Sequence, residues 1–249
     1  MEPKRKRRYF ITFLILIACV LVCLVLNICI GTVQISLAEA WYAIADRTNR
    51  LGRIIMDIRM PRTFAAMILG GALALAGYLL QTFFHNPIAG PFVLGISSGA
   101  KMVVALVMVF LMGNAVKVSS AAMIAAAFAG AMISMGFVLL MSKRVNNMAM
   151  LVVSGVMIGY ICSAITELVV TFADDADIVN LHNWSRGSFS GMTWNNVAVM
   201  SVVTGVTVIW IFMLSKPLGA YQMGESYARS MGVNIRMLRV AMVILSSML

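Results

Sequence analysis

The sequence predicts an all-α, polytopic membrane protein, and both its composition and its hydrophobic pattern point to that class. Of the 249 residues, 61% are hydrophobic and only 11% are charged, and the mean hydropathy is +0.95. Soluble domains carry about a quarter charged residues, so this composition excludes a disordered chain and a water-soluble globule. Apolar runs recur along the chain, each long enough for a membrane-spanning helix, which needs about 20 residues.

Six apolar runs predict six complete transmembrane helices. They cover residues 10–30, 63–84, 91–114, 118–142, 145–172 and 193–215. Four of the runs are uncharged, whereas the third contains Lys101 and the fifth contains Glu167. A seventh apolar segment begins near Val240, and the sequence stops at Leu249. About ten residues at 1.5 Å each cannot cross a hydrocarbon core about 30 Å thick, so we expect the start of a seventh helix in a truncated chain.

The amino terminus is expected on the cytoplasmic side. Five Lys and Arg residues at positions 4–8 precede the first run, whose 21 residues are too many for the apolar region of a cleaved signal peptide. We take residues 1–9 as a cytoplasmic tail and 10–249 as the transmembrane domain. The inner segments then hold 11 Lys and Arg against two acidic residues, and the outer segments hold seven against six. This asymmetry follows the positive-inside rule.

No group of side chains predicts an enzyme or a cofactor site. The two histidines, His85 and His182, fall on opposite sides of the membrane in this topology, and no catalytic or phosphate-binding motif occurs. The four cysteines lie in apolar runs without metal-ligand spacing. We expect no catalytic residue, no metal and no cofactor. Lys101 and Glu167 either reach the nearest membrane surface or indicate an ion- or proton-coupled secondary transporter, which is the alternative function.

Two segments have either a purely structural role or a place along a transport pathway. Asn86 and Pro87 begin a stretch with a second proline, Pro91, which predicts a tight turn or a constriction at the inner mouth of a pathway. Gly155 and Gly159 share one face of the fifth run, where small residues allow close helix packing or line a path. The small residues of the fourth run, at 122, 126, 130 and 134, predict helix packing.

Two charged segments outside the runs are candidates for contacts with other molecules. In the inner loop, Glu225 and Arg229 stand four residues apart on a short predicted helix that Gly232 would end. This helix is either a solvated surface element or a segment that docks into another protein. On the outer side, Arg59 and Arg62 lie beside the membrane, where arginines bind anionic headgroups or the carboxylates of a soluble partner.

A set of ordered motifs, spread from about residue 55 to the end, resembles one family of transporters. The motifs are Arg59-Met60-Pro61-Arg62-Thr63, the stretch 70–77, Gln81, Asn86-Pro87-Ile88-Ala89, and the stretches 94–100, 154–159, 184–189 and 224–232. Together they resemble the FecCD/BtuC-type permeases. These are the membrane subunits of type II ATP-binding-cassette (ABC) importers for iron siderophores, haem and vitamin B12.

The resemblance implies a ten-helix permease of the bacterial plasma membrane. Such a subunit pairs with a second permease, binds a cytoplasmic ABC ATPase and receives its cargo from an extracytoplasmic substrate-binding protein. We therefore predict a transport subunit, not an enzyme, for iron complexes, with ferric siderophores as the first choice. The resemblance leaves haem and cobalamin open as cargo, and both a homodimer and a heterodimer as the assembly.

The resemblance also implies roles for individual residues. The segment at about 221–232 matches the coupling helix that contacts the ATPase, through Gly224, Glu225, Ala228, Arg229 and Gly232. Arg59 and Arg62 match arginines that bind glutamates of the substrate-binding protein. The gate and pathway positions are Asn86, Pro87, Asn146, Asn147, Met148, Gly155 and Gly159.

Overall fold

The computed structural model describes residues 3–45, 49–92, 95–112, 120–142, 144 and 148–249. In these residues the regular structure is helical. The α-helices are α1 (Pro3–Cys29), α2 (Leu37–Ala45), α3 (Arg50–Arg53), α4 (Met60–Phe84), α5 (Ile96–Val107), α6 (Ser120–Met141), α7 (Met148–Thr171), α8 (Asp175–Arg186), α9 (Trp194–Met213), α10 (Ser215–Gln222), α11 (Glu225–Ser230) and α12 (Ile235–Met248). Two π-helical segments, Ile54–Arg59 and Met108–Met112, join α3 to α4 and extend α5.

Five helical segments within the described residues are long and apolar enough to cross a membrane. They are Lys4–Cys29, Arg50–Phe84, Ala122–Met141, Ala149–Thr171 and Trp194–Met213. These segments correspond to five of the six predicted spans, and they confirm an all-helical membrane fold. The side chains of α1 are largely exposed, although they are apolar, which is the pattern of a helix that faces lipid. The basic run at positions 4–8, predicted as a tail, belongs to α1.

The predicted third span is shorter than the sequence indicated. The run at 91–114 predicts a helix from Pro91, but α5 begins only at Ile96, and the apolar helix spans Ile96–Phe110. Pro87 and Pro91 prevent an earlier start, and the N-cap residue Gly95 has a φ of 77°, which interrupts the helical path. The apolar run thus includes non-helical residues that hydropathy alone does not separate from the helix.

The chain divides into two compact units, and the first contains Met1–Ile68 and Phe189–Ser201. Its core consists of Ile28, Ile35, Ala40 and Ile55. A capping box starts α2: the Ser36 N–H donates to Glu39 Oε2 at 2.8 Å, and the Glu39 N–H donates to Ser36 Oγ at 3.3 Å. The Ser36 hydroxyl also donates to Glu39 Oε2 at 2.8 Å, and these two donors, with the backbone N–H first, hold the pKa of the Glu39 carboxyl below its usual value.

The second unit contains Leu69–Ser188 and Val202–Leu249, and two apolar clusters hold it together. The larger cluster joins α4, α6, α10, α11 and α12 through Leu79, Phe83, Met135, Leu218, Tyr221, Ala228, Leu238 and Met242. The smaller cluster joins α5, α6, α7 and α8 through Val104, Met123, Val169 and Leu181. Because α10 and α11 share the larger core with α4 and α12, the loop predicted between the sixth and seventh spans is a packed part of the fold.

Helices α5 and α6 cross at van der Waals contact between glycines. A Cβ atom added to Gly99 would lie 2.5 Å from the Gly130 carbonyl oxygen and would overlap Ser134. Ala126, Gly130 and Ser134 are buried, which confirms the packing face that the sequence predicted on the fourth span. Ala122, the first residue of that face, is exposed.

Candidate functional site

Helices α10 and α11 form a compact segment after α9. Pro217 lies in the first turn of α10, where its missing N–H removes no helical hydrogen bond. Gly224, with a φ of 123°, separates α10 from α11, and Gly232, with a φ of 80°, follows α11. The N–H groups of Gly232 and Val233 bond the carbonyls of Arg229 and Ala228, which is a Schellman ending. The predicted short helix that ends before Gly232 is therefore confirmed.

One face of α11 points away from the core and is available to a partner. Ala228 is buried, whereas the side chain of Arg229 is 71% exposed. Tyr227 and Met231 on the same segment are exposed as well. Exposed arginine, aromatic and methionine side chains on one short segment are the composition of a protein contact surface.

Glu225 pairs mainly with α12, which the sequence did not predict. Its carboxylate accepts a close hydrogen bond from the Arg239 guanidinium, and it stands 4.0 Å from that of Arg229, at the limit of an ion pair. The predicted pair within α11 is thus the weaker of the two. Because Glu225 is neutralised by Arg239, the charge of Arg229 remains available for contacts outside the chain.

Tyr221 joins four elements at one point. Its ring is fully buried, and its hydroxyl lies 3.3 Å from the Phe83 carbonyl oxygen of α4, from Glu225 Oε1 and from Arg239 Nε. Its own carbonyl accepts a hydrogen bond from His85 Nε2 at 3.0 Å. Burial raises the pKa of the Tyr221 hydroxyl, against the lowering effect of Arg239, so the hydroxyl stays protonated as a donor.

The end of α4 is held against this segment by further contacts. The ring of His85 packs on that of Tyr221, with 4.6 Å between centroids, and Gln222 Nε2 donates to Thr82 Oγ1 at 3.0 Å. His85 has a φ of 48°, and the N–H groups of His85 and Asn86 bond the carbonyls of Thr82 and Gln81. Helix α4 therefore also ends in a Schellman motif, but with histidine at the left-handed position.

The predicted inner gate is only partly within the described residues. Asn86 follows the end of α4, and its side-chain oxygen accepts the Ile88 N–H at 3.0 Å across Pro87, so this stretch forms the tight turn. Asn146 and Asn147 lie outside the described residues, and Met148 is the first residue of α7. The gating role of these residues stays a prediction.

The glycine face of α7 packs on the start of α5. A Cβ added to Gly159 would lie 3.0 Å from Gly95 Cα, and one added to Gly95 would lie 3.0 Å from the Gly155 carbonyl oxygen. Both α7 glycines are buried, which is the close helix packing that the sequence left open. Their contribution to a pathway stays a prediction.

Arg59 is buried, although the sequence placed it on an accessible surface. Its guanidinium donates close hydrogen bonds to the carbonyls of Ile28 and Val33, at and beyond the end of α1. Carbonyls in the last turn of a helix lack intrahelical donors and attract cations. Arg62 is half-buried, and its Nε atom is buried without a hydrogen-bond partner among the described residues.

The charges predicted inside the membrane occupy different environments. Lys101 is half-buried on α5, and Glu167 is exposed on α7. Across the described residues, no three His, Cys, Asp or Glu side chains are grouped as ligands of a metal ion.

Comparison with known proteins identifies the family. The model of the FecCD transport family matches residues 19–249. The chain belongs to the FecCD transport family. It is 32% identical over 245 residues to the vitamin B12 import system permease protein BtuC of Klebsiella pneumoniae, covering 98% of this chain and 70% of the relative. It is 33% identical over 244 residues to the BtuC protein of Salmonella typhi, with 98% and 71% covered.

A solved structure supports the same fold. An inward-facing metal-chelate type ABC transporter superposes with a TM-score of 0.76 at 23% identity, covering 92% of this chain and 70% of the other. As a FecCD family member, the chain is a multi-pass permease subunit of an ABC importer and not an enzyme. Family membership thus decides against the secondary-transporter alternative that Lys101 and Glu167 had left open.

Sequence reasoning missed the residues that hold the α10–α11 segment in this FecCD permease. Tyr221, Gln222 and Arg239 were not singled out, and no contact was predicted for His85. The sequence contains a partial signal that these residues matter. Arg239 lies just before an apolar segment, and Tyr221 precedes the motif that begins at Gly224. The α4 partners of Tyr221 and Gln222 are more than 130 positions away, so spacing along the chain could not pair them.

Arg59→Met should destabilise the first unit, because it removes both donors to the end of α1 while keeping an apolar side chain of similar length. Hydrogen bonds to charged groups contribute about 1.5–3 kcal/mol each, so we expect a loss of about 3 kcal/mol. Thermal unfolding in detergent measures this effect. Arg53→Met, at an exposed position of α3, is the matched control, and equal unfolding temperatures for the two variants would contradict the prediction.

Proposed function

We propose that this permease imports an iron complex, with a ferric siderophore as cargo, in an assembly with a second permease subunit and a cytoplasmic ABC ATPase. The resemblance of the motifs and the relatedness to BtuC proteins support a bulky metal chelate as the class of cargo. We further propose a cytoplasmic amino terminus, on the basis of the charge asymmetry between the loops.

The observation that carries the coupling proposal is the exposed face of α11 on a segment that is firmly bonded to α4 and α12. Arg229, Tyr227 and Met231 supply a contact surface for the ATPase, and Gly224, Ala228 and Gly232 set the shape and the burial of the segment. Because Glu225 is held by Arg239, a force on α11 acts on α12 through that ion pair.

We propose that Tyr221 transmits a displacement of α11, caused by the ATPase, to the end of α4. Its hydroxyl contacts Glu225 and the Phe83 carbonyl, and its backbone accepts the His85 hydrogen bond. The turn at Asn86 and Pro87 follows directly, so displacement of the α4 end shifts this part of the inner gate. We propose that Asn146, Asn147 and Met148 form the second part of the gate, and that the Gly155 and Gly159 face of α7 borders the pathway.

On the outer side, we propose that Arg62 receives a carboxylate of the substrate-binding protein. Its side chain is only half-buried at the start of α4, and an accessible guanidinium group binds a carboxylate in a bidentate manner. Arg59 contributes indirectly, because its bonds to the end of α1 position the adjacent residues of α4.

Arg229→Glu tests the coupling proposal. The reversed charge should repel the acceptor surface of the ATPase, so we expect the ATPase to co-purify with the wild-type permease in detergent and to be lost from the variant. Lys216→Glu, an exposed charge reversal on the neighbouring α10, is the control and should retain the ATPase. Retention of the ATPase by Arg229→Glu would refute α11 as the docking element.

The cargo is tested separately in vesicles that contain the complete importer. Uptake of radioactive iron as a ferric siderophore is measured against uptake of iron as haem and of labelled cobalamin. ATP-dependent accumulation of the siderophore alone supports the proposal. Accumulation of cobalamin or haem in its place would reassign the cargo without affecting the coupling test.

A further inference from the structure

An open cleft of about 1240 Å³ lies beside α11 in the second unit, between α6 and α12. One wall is apolar: Ile133, Phe137 and Leu140 line it, and their exposed fractions are 55%, 37% and 62%. These positions are four and three residues apart, so they form a single stripe along α6. The stripe belongs to a helix that is long and apolar enough to span the membrane.

The opposite side of the cleft is cationic. Arg229, Arg236 and Arg239 line it, and Glu225 is the only acidic residue among the described residues of its wall. Because Glu225 is paired with Arg239, two arginines retain uncompensated charge. His85 completes the polar side at the end of α4. The cleft therefore joins a cationic mouth to an apolar wall.

We propose that this cleft binds an anionic phospholipid from the inner leaflet. The phosphate lies between Arg236 and Arg229, and an acyl chain follows the stripe of Ile133, Phe137 and Leu140. A basic pocket between membrane helices on the cytoplasmic side suits such a headgroup, and guanidinium groups bind phosphate oxygens in a bidentate manner. A soluble anion would contact the arginines alone, whereas a phospholipid contacts both the arginines and the stripe.

The lipid site shares Arg229 with the proposed ATPase contact, whereas Arg236 and the α6 stripe belong to the cleft alone. Arg236 lies on the first turns of α12 and Arg229 on α11, so a bound phosphate bridges the two helices next to the Glu225–Arg239 ion pair. We expect the lipid to hold α11 against α12, in addition to the bonds within the chain. Binding of the lipid requires no ATPase, so its test is independent of the coupling proposal.

The experiment uses the full chain purified in detergent and titrated with phosphatidylglycerol or phosphatidylcholine, with bound lipid counted by native mass spectrometry. The wild type should retain phosphatidylglycerol in preference to phosphatidylcholine. Arg236→Gln should weaken phosphatidylglycerol binding about fivefold, the effect of one arginine near an anionic membrane surface. Arg144→Gln, an exposed residue just after α6 that does not line the cleft, should bind as the wild type does.

A second variant tests the apolar wall. Phe137→Asn should weaken retention of phosphatidylglycerol but leave the affinity for inorganic phosphate unchanged, because it alters the stripe and not the arginines. Equal retention of both lipids by the wild type would overturn the proposal. So would unchanged binding in Arg236→Gln, or displacement of the lipid by inorganic phosphate at equimolar concentration, which would indicate a site for a free anion.

Discussion

Gly99→Ala is expected to prevent α5 and α6 from packing in their native arrangement. The added methyl group would overlap Ser134 and lie 2.5 Å from the Gly130 carbonyl oxygen. Ser134 and Gly130 both belong to α6, which also packs in the larger apolar cluster through Met135. Helix α6 therefore cannot move away from α5 without disrupting that cluster. Overpacking costs about 1–3 kcal/mol where side chains can adjust, and a clash with backbone should cost at least the upper value.

The measurement is thermal unfolding in detergent, together with the fraction of protein that elutes as a single species in size-exclusion chromatography. Gly136→Ala is the matched control, because it lies on α6, the partner helix in this contact, and its added Cβ would have no neighbour within 4 Å. Alanine is a better helix former than glycine by about 1 kcal/mol, so Gly136→Ala should be neutral or slightly stabilising. A Gly99→Ala protein as stable as the wild type would show that the two helices do not approach this closely.

Arg239→Glu is expected to release α11 from α12 and to abolish binding of the ATPase. The substitution places two carboxylates together in the partly buried site that Tyr221 covers, where the side chains of Arg239 and Glu225 are 19% and 28% exposed. Removing one partner of a buried ion pair costs about 3–5 kcal/mol, and partial exposure reduces that to about 3 kcal/mol here. The displaced α11 would no longer present Arg229 to the ATPase.

Two further variants separate loss of the ion pair from general damage to α12. Glu225→Arg combined with Arg239→Glu restores opposite charges and should recover most of the lost stability and of the co-purified ATPase. Met237→Glu introduces a carboxylate at an exposed position of α12 that does not line the cleft, and should retain the ATPase. If the charge-swapped protein behaves like Arg239→Glu, the pair does not hold α11 in place.

Much of the fold could be read from residue patterns because the membrane imposes strict requirements on them. A span must be helical, apolar and about 20 residues long, so five of the predicted spans reappear as long helices. The short helix α11 and its ending at Gly232 were also predictable, because a charged pair and a glycine are local signals. Helices α2 and α8 lie outside the apolar runs and were not predicted.

The family motifs located the segments that matter for function, but they could not assign each contact. Arg59 illustrates the difference: its position beside the membrane suggested an exposed docking residue, whereas its guanidinium is bonded to the end of α1. Glu225 is a second example. Its spacing favours a pair with Arg229 on the same helix, but its closer partner is Arg239 on α12.

The sequence by itself determined that the chain is a helical membrane permease, since hydropathy, charge asymmetry and motif order are properties of neighbouring residues. The tertiary structure alone decided which helices touch and which charges pair. Gly99 meets Gly130, and Tyr221 meets Phe83, because distant segments share one core. Such contacts depend on how the helices pack in three dimensions, and a one-dimensional pattern of polar and apolar residues is compatible with many packings.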